Sequence, residues 1–111
     1  MGVIVQKYGG TSVADIDRIK NVAVRVAKAY DAGNAVVVIL SAMSGVTDNL
    51  IRMAQQVTDD PARRELDVLL STGEQTTAAL LAMTLISMNY RAVSLLGFQA
   101  EVLTDCDYGR A

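Results

Sequence analysis

Apolar positions along the chain follow two periods. Val3, Ile4 and Val5 form a short β-branched run, and residues 35–40, AVVVIL, form an unbroken one. Runs of this kind suit inner strands of a parallel sheet covered on both faces. Between them, Val13, Ile16, Ile19, Val22, Ala23, Val26, Ala27 and Tyr30 recur at steps of three and four, which predicts a helix over residues 13–30. Thr11 and Ser12 are suited to cap it, and Ser12 with Asp15 resembles a capping box in which Asp replaces Glu. Asp15 and Asp17 in the first turn and Lys28 near the last suit the helix dipole, and Gly33 is a stop signal. Strand, helix and strand make a βαβ unit, so parallel strands with a right-handed crossover are expected.

Beyond residue 45 the pattern is mostly helical. Residues 46–57 read as a second helix with Thr47 at its start, as a cap or a ligand contact. Asp59, Asp60 and Pro61 break the chain. Residues 62–88 are helical in composition, with one interruption at residues 71–74, STGE. A kink between two core helices, with Thr72 as cap and Glu74 in the first turn of the second, explains the interruption without any function. Residues 91–95, RAVSL, suit a third strand, and Val102 with Leu103 the start of another. Asp105, Asp107 and Gly109 read as turn chemistry in a solvated loop. Met53, Met83 and Met88 are expected to fill the core, and Arg18, Lys20 and Arg25 to form a solvated face. Three or four strands are few for a doubly wound sheet, and the last would leave an unprotected edge. The chain therefore reads as the N-terminal piece of a longer protein, without internal repeats or a low-complexity linker.

Composition narrows the chemistry. With 111 residues the chain is long enough for one small domain with a core. It is 51% hydrophobic, yet no apolar run reaches the roughly 18 residues of a membrane span. No signal-peptide layout opens it. The net charge of −2 and the absence of a basic cluster argue against nucleic acid as a partner. One cysteine, Cys106, and no histidine exclude an internal disulfide framework, a Cys-based zinc site and Ser-His-Asp catalysis within this chain. Cytoplasmic residence is the simple reading.

Two stretches carry candidate chemistry. Lys7 ends the first strand, Gly9 and Gly10 permit a sharp turn and close backbone approach to a ligand, and Thr11 and Ser12 follow. Backbone N–H groups at a helix start beside a lysine suit an anion such as phosphate. This is neither GxxxxGK[ST] nor GxGxxG. The alternative for the stretch is an ordinary strand-to-helix turn with a snorkelling lysine. Residues 41–45, SAMSG, follow the second strand. In open α/β sheets ligands gather beyond the carboxyl ends of the strands, so GGTS and SAMSG are expected on one edge.

With these residues in view, the chain resembles the N-terminal part of the aspartate kinases, within the amino-acid kinase family. KYGGTSV at residues 7–13 corresponds to their K-[FY]-G-G-T-S-V signature. VILSAMSGVTD at residues 38–48 resembles their second-strand loop, LLSTGEQ at residues 69–75 their S-x-GE motif, and GFQAEVLTD at residues 97–105 their G-x-Q-A-x-x-x-TD stretch. The resemblance implies an α/β fold, a three-layer αβα sandwich with a mainly parallel sheet. Residues 1–111 would be the N-terminal portion of its catalytic domain, with the rest of that domain and the regulatory ACT domains outside the chain.

It further implies transfer of the ATP γ-phosphate, delivered as MgATP, to the side-chain carboxylate of L-aspartate. The product, 4-phospho-L-aspartate, opens lysine, threonine and methionine synthesis. Lys7 would offset charge on the transferring phosphoryl group, and Gly9 and Gly10 would hold the ATP phosphates. Ser12, Ser41, Thr47 and Glu74 would contact aspartate, and no residue is assigned as a metal ligand. The complete enzyme would be a homo-oligomer, or a hetero-oligomer with a regulatory subunit, in the cytoplasm. Glu101 departs from the resemblance, since a small residue, commonly glycine, is expected there. Two alternatives remain: a relative acting on another acid such as glutamate or carbamate, and a non-catalytic fragment. The isolated piece is expected to be inactive.

Overall fold

A computed structural model describes residues 2–95. The order of elements is β1 (Val3–Tyr8), α1 (Ile16–Asp31), β2 (Ala35–Leu40), α2 (Val46–Val57) and α3 (Arg63–Ser87). β1 and β2 pair in parallel, with Val3 opposite Ala35 and Tyr8 opposite Leu40. The expected βαβ unit is therefore present, and β2 and α2 have the bounds that the apolar pattern predicts. Gly33, at φ +100°, follows the end of α1 and donates its N–H to Tyr30 O at 2.9 Å.

Strand alternation divides the sheet into two unlike faces. Tyr8, Val36, Val38 and Leu40 belong to the core, with Ile19, Val22, Ala23 and Val26 of α1 and Leu81 and Leu85 of α3. The opposite face is bare: Val3 is 71% exposed, Val5 61%, and Val37 and Ile39 49% each. Burial on both faces was expected of these runs. Among the described residues, α1 and α3 both pack on the core side, so only one helical layer covers the sheet. The smallest dimension of the described unit, 19 Å, fits a sheet with one layer of helices.

Four further expectations are corrected. α1 begins at Ile16, and its cap is Asp15, whose carboxylate accepts from the Arg18 N–H at 2.9 Å. Neither Thr11 nor Ser12 caps it. The chain first makes a turn in which Ser12 N donates to Gly9 O, and Val13 buries its side chain from that turn rather than from the helix. The STGE stretch does not interrupt α3. Ser71, Thr72, Thr76 and Thr77 donate their hydroxyls to carbonyls three or four residues back in the same helix, so a polar stretch remains helical. Residues 91–95 form no strand, because neither β1 nor β2 pairs with them. Of the three methionines, Met88 packs on the core, whereas Met53 and Met83 are about half exposed. Val102, Leu103, Asp105, Asp107, Gly109, Cys106 and Glu101 lie outside the described residues.

α3 ends in a Schellman motif: Tyr90 N donates to Leu85 O and Asn89 N to Ile86 O, both at 3.0 Å. Asn89 takes the left-handed position at φ 71°. The motif delivers Tyr90 to the C-terminal end of α1, where its ring meets Tyr30 edge-on at 5.8 Å and its hydroxyl donates to Asp31 Oδ2 at 2.7 Å. The Asp31 carboxylate, by accepting that proton, holds the Tyr90 hydroxyl above its ordinary pKa. A raised tyrosine pKa contributes stability that is complete below the unfolded value, about 10, and is lost as pH rises through the folded one. Tyr90→Phe should therefore lower the Tm at pH 7, and the difference from the parent should shrink once the pH exceeds about 10. Thermal unfolding at the two pH values checks this; no loss at either would mean that ring packing, which phenylalanine keeps, joins the helix ends without the hydroxyl.

Candidate functional site

The carboxyl ends of β1 and β2 lie side by side because the strands are parallel and in register. Ser41 N donates to Tyr8 O at 3.2 Å, which extends the pairing one residue past β2. The two loops therefore leave from one edge, as expected. They are also tied together: Ser44 N donates to Ala14 O at 3.3 Å, and a Cβ at Gly10 would lie 3.8 Å from Ala42 O. Between them opens a cleft of about 550 Å³, lined from the first loop by Gly10 and Thr11 and from the second by Ser41, Ala42, Met43, Ser44 and Gly45. Asp15 and Arg18 of α1 and Thr47 and Asp48 of α2 complete the wall.

α2 starts at this cleft. Its cap is Gly45, in the left-handed conformation at φ 78°, which a Cβ would disfavour. Val46 N donates to Met43 O at 3.2 Å, but Gly45 brings no side-chain acceptor to the N–H groups of Thr47 and Asp48, which are suited to an anion. The start of α1 differs, since Asp15 already occupies the Arg18 N–H. Of the two helix starts at this edge, that of α2 is the one without a side-chain cap.

The structure gathers some candidate residues and separates others. Gly10, Ser41 and Thr47 line the cleft. Ser12 lines a neighbouring groove with Asn21 and Arg25, and Thr11 and Arg18 border both. Gly9 closes the turn through its carbonyl and is exposed. Lys7 is exposed on the bare face of the sheet, opposite Ile39. Glu74 is exposed on α3 and lines neither cavity. It adjoins Gly73, however, whose missing side chain lets α3 lie against the second loop. A Cβ there would stand 3.0 Å from Ala42 Cβ and 3.1 Å from Val46 Cγ1. The glycine of the STGE stretch is therefore a packing residue, which explains why it is buried in mid-helix.

Arg18 is the residue that pattern reading missed. Its guanidinium Nη1 donates to Thr11 O at 2.7 Å, so it is not only part of a solvated face. A signal was present: Arg18 stands at the third position of α1, where the helix dipole disfavours a cation. A cation kept there invites a search for its partner. Asp15 and Asp48 both line the cleft, but among the described residues no group of three or more His, Cys, Asp or Glu could hold a metal ion. Among the described residues no helix is long and apolar enough to cross a membrane.

Comparison with known proteins agrees along the whole chain. The model of the "Amino acid kinase family" matches residues 2–109. The chain is 53% identical to the aspartokinase of Geobacillus stearothermophilus and 55% identical to an aspartate kinase of Pseudomonas putida. Each alignment covers 100% of this chain and 27% of the relative. The chain thus spans about a quarter of the length of these relatives. A crystal structure of aspartate kinase from Synechocystis superposes with a TM-score of 0.80 at 49% identity, covering 84% of this chain and 16% of that one.

The contact at Gly73 yields a test of how the cleft wall is held. Gly73→Val forces a branched side chain against Ala42 and Val46, and overpacking of this kind costs about 1–3 kcal/mol. A Tm several degrees lower is expected in thermal unfolding of the complete protein. An unchanged Tm would show that α3 does not depend on this close approach.

Proposed function

The chain belongs to the amino acid kinase family, and on that premise we propose that it is the N-terminal part of an aspartate kinase catalytic domain. The complete protein would transfer the γ-phosphate of MgATP to the side-chain carboxylate of L-aspartate, giving 4-phospho-L-aspartate in the cytoplasm. This is the first step toward lysine, threonine and methionine. The observation that carries the reading is the joining of the two loops at one sheet edge, with uncapped N–H groups at the start of α2 beside Ser41 and Thr47.

The chemistry needs little from the protein beyond placement and charge. An aspartate side chain has an ordinary pKa of about 3.9, so at neutral pH it is already a nucleophile and no general base is needed. A chain without histidine is no handicap for that reaction. A carboxylate oxygen attacks the γ-phosphorus, the bond from that phosphorus to the β–γ bridging oxygen breaks, and ADP leaves with the electron pair. Negative charge on the transferring group must be offset while the two anions meet. Lys7, two residues before Gly9, is the cation for this role, and the backbone N–H groups of Gly9 and Gly10 are the donors for the ATP phosphates. Magnesium would arrive on ATP.

Aspartate itself carries two carboxylates and an ammonium. Ser41 and Thr47 line the cleft as hydroxyl donors, and the first turn of α2 adds backbone donors for a carboxylate. Ser12, on the neighbouring groove, would stand beside the reacting group. Glu74, one residue from the contact of Gly73 with Ala42, would take the substrate ammonium. The 111-residue piece alone would be inactive, and the complete enzyme would assemble as a homo-oligomer or with a regulatory subunit.

Hydroxylamine trapping of the acyl phosphate made by the complete protein tests the reading, with aspartate and glutamate compared side by side. ATP-dependent product with aspartate alone is expected, and product with neither acid would overturn it. Lys7→Ala should lower kcat by about 10²–10³-fold in a folded protein, the size of effect seen when one transition-state charge partner is removed; normal turnover would remove Lys7 from the reaction. Glu74→Ala should raise KM for aspartate about tenfold or more, as loss of a charge-assisted bond does, with ATP use unchanged. An unaltered KM would return Glu74 to the role of a solvated helix residue.

A further inference from the structure

The glycine-rich turn has little to hold it. Gly9 and Gly10 are exposed, and a Cβ at Gly9 would meet nothing within 4 Å. Two adjacent glycines lose more conformational freedom than any other pair when fixed, and the buried side chain of this loop, Val13, lies beyond them, so packing does not hold the two glycines themselves. Hydrogen bonds must do so. Ser12 N donates to Gly9 O at 3.0 Å, and Thr11 O accepts from Arg18 Nη1 at 2.7 Å. These two bonds grip opposite ends of one planar unit, the Thr11–Ser12 peptide, whose carbonyl and N–H point in opposite directions. Held at both ends, the unit cannot rotate.

Arg18 is in turn well anchored for a surface residue. Its backbone N–H is the one taken by the Asp15 cap, so the first turn of α1 fixes the point from which the side chain reaches back seven residues. Ile19, immediately after it, is buried at 1% exposure. The guanidinium also borders both the cleft and the adjoining groove, together with Thr11. Arg18 therefore couples a rigid helix to the part of the loop that Val13, buried further along, does not pack.

We propose that Arg18 is a positioning residue, which clamps the Thr11 carbonyl and thereby fixes the Gly9–Gly10 turn for ATP phosphate binding. The catalytic half of this statement rests on the phosphoryl-transfer reading above; the clamp itself does not. A single carbonyl acceptor needs one donor, so lysine at this position retains part of the function, whereas alanine retains none.

Two measurements on the complete protein separate the clamp from the reaction. Amide hydrogen exchange without ATP should show faster exchange across residues 9–13 in Arg18→Ala, unchanged exchange in the core of α1, and partial recovery in Arg18→Lys. Steady-state kinetics should show kcat/KM for ATP falling about tenfold in Arg18→Ala, the size expected for one lost charge-assisted bond at the surface, again with partial recovery in Arg18→Lys. The Tm should stay close to that of the parent. Unchanged loop exchange together with unchanged kinetics in Arg18→Ala overturns the proposal while leaving the reaction intact. A lowered Tm with unchanged loop exchange also overturns it, because Arg18 would then act on stability alone. Faster loop exchange in a protein whose parent phosphorylates neither aspartate nor glutamate upholds the clamp and rejects the reaction.

Discussion

The parallel pairing of β1 with β2 is the constraint on which the rest of the molecule depends. Two strands that run the same way must end at the same edge, and the crossover through α1 is what allows them to do so. The bond from Ser41 N to Tyr8 O carries the pairing beyond β2 and brings the start of the second loop beside the end of β1. From that single arrangement follow the cleft, the closeness of Gly10 to Ala42, and the placement of the first turn of α2 at the site. An antiparallel pair of the same sequences would have put the two loops at opposite ends of the sheet.

Small residues then decide how near the surrounding helices can come. Ala42 is buried between the loops and α3, and Gly73 is the counterpart that leaves it room. Gly45 serves a different purpose, since its left-handed backbone turns the chain into α2 without a capping side chain. Apart from Arg18 and Met43, the cleft is thus walled by backbone and short side chains. A surface of this kind presents N–H groups rather than bulk, which suits phosphate and carboxylate groups better than it suits an apolar ligand.

Much of this was legible from local pattern. The AVVVIL run has the bounds of β2, and the apolar rhythm of residues 46–57 matches α2, because both signals are strong over their whole length. The start of α1 was misjudged because Val13 shares the helical rhythm while sitting in the turn before it; burial does not distinguish the two. STGE looked like a break because serine, threonine and glycine favour turns in isolation. In the folded chain the hydroxyls bond their own helix, and Gly73 is selected by what lies across from it. The link from Arg18 to Thr11 spans seven residues and two structural states, turn and helix, and so escapes any rule of helical spacing. Of the site, the loops and their shared edge could be read in advance; the separation of Lys7 and Glu74 from the cleft could not, because it depends on which strand face and which turn of a long helix they occupy.

The uncovered sheet face also bears on how such a polypeptide behaves before it is complete. Only α1 is built from local contacts; the parallel pairing of β1 with β2 joins positions far apart in sequence, and pairing of that kind is slow to form and exposed to aggregation. Once folded, this unit would display Val3, Val5, Val37 and Ile39 as a contiguous apolar strip on a sheet whose outer edges pair with no further strand among the described residues. Full burial of a valine or isoleucine side chain is worth roughly 1.5–3 kcal/mol, so even half-exposed residues leave several kcal/mol to be gained by whichever layer arrives first. Among the described residues, the face that would make the sheet a good interior is thus also an aggregation liability for as long as nothing covers it.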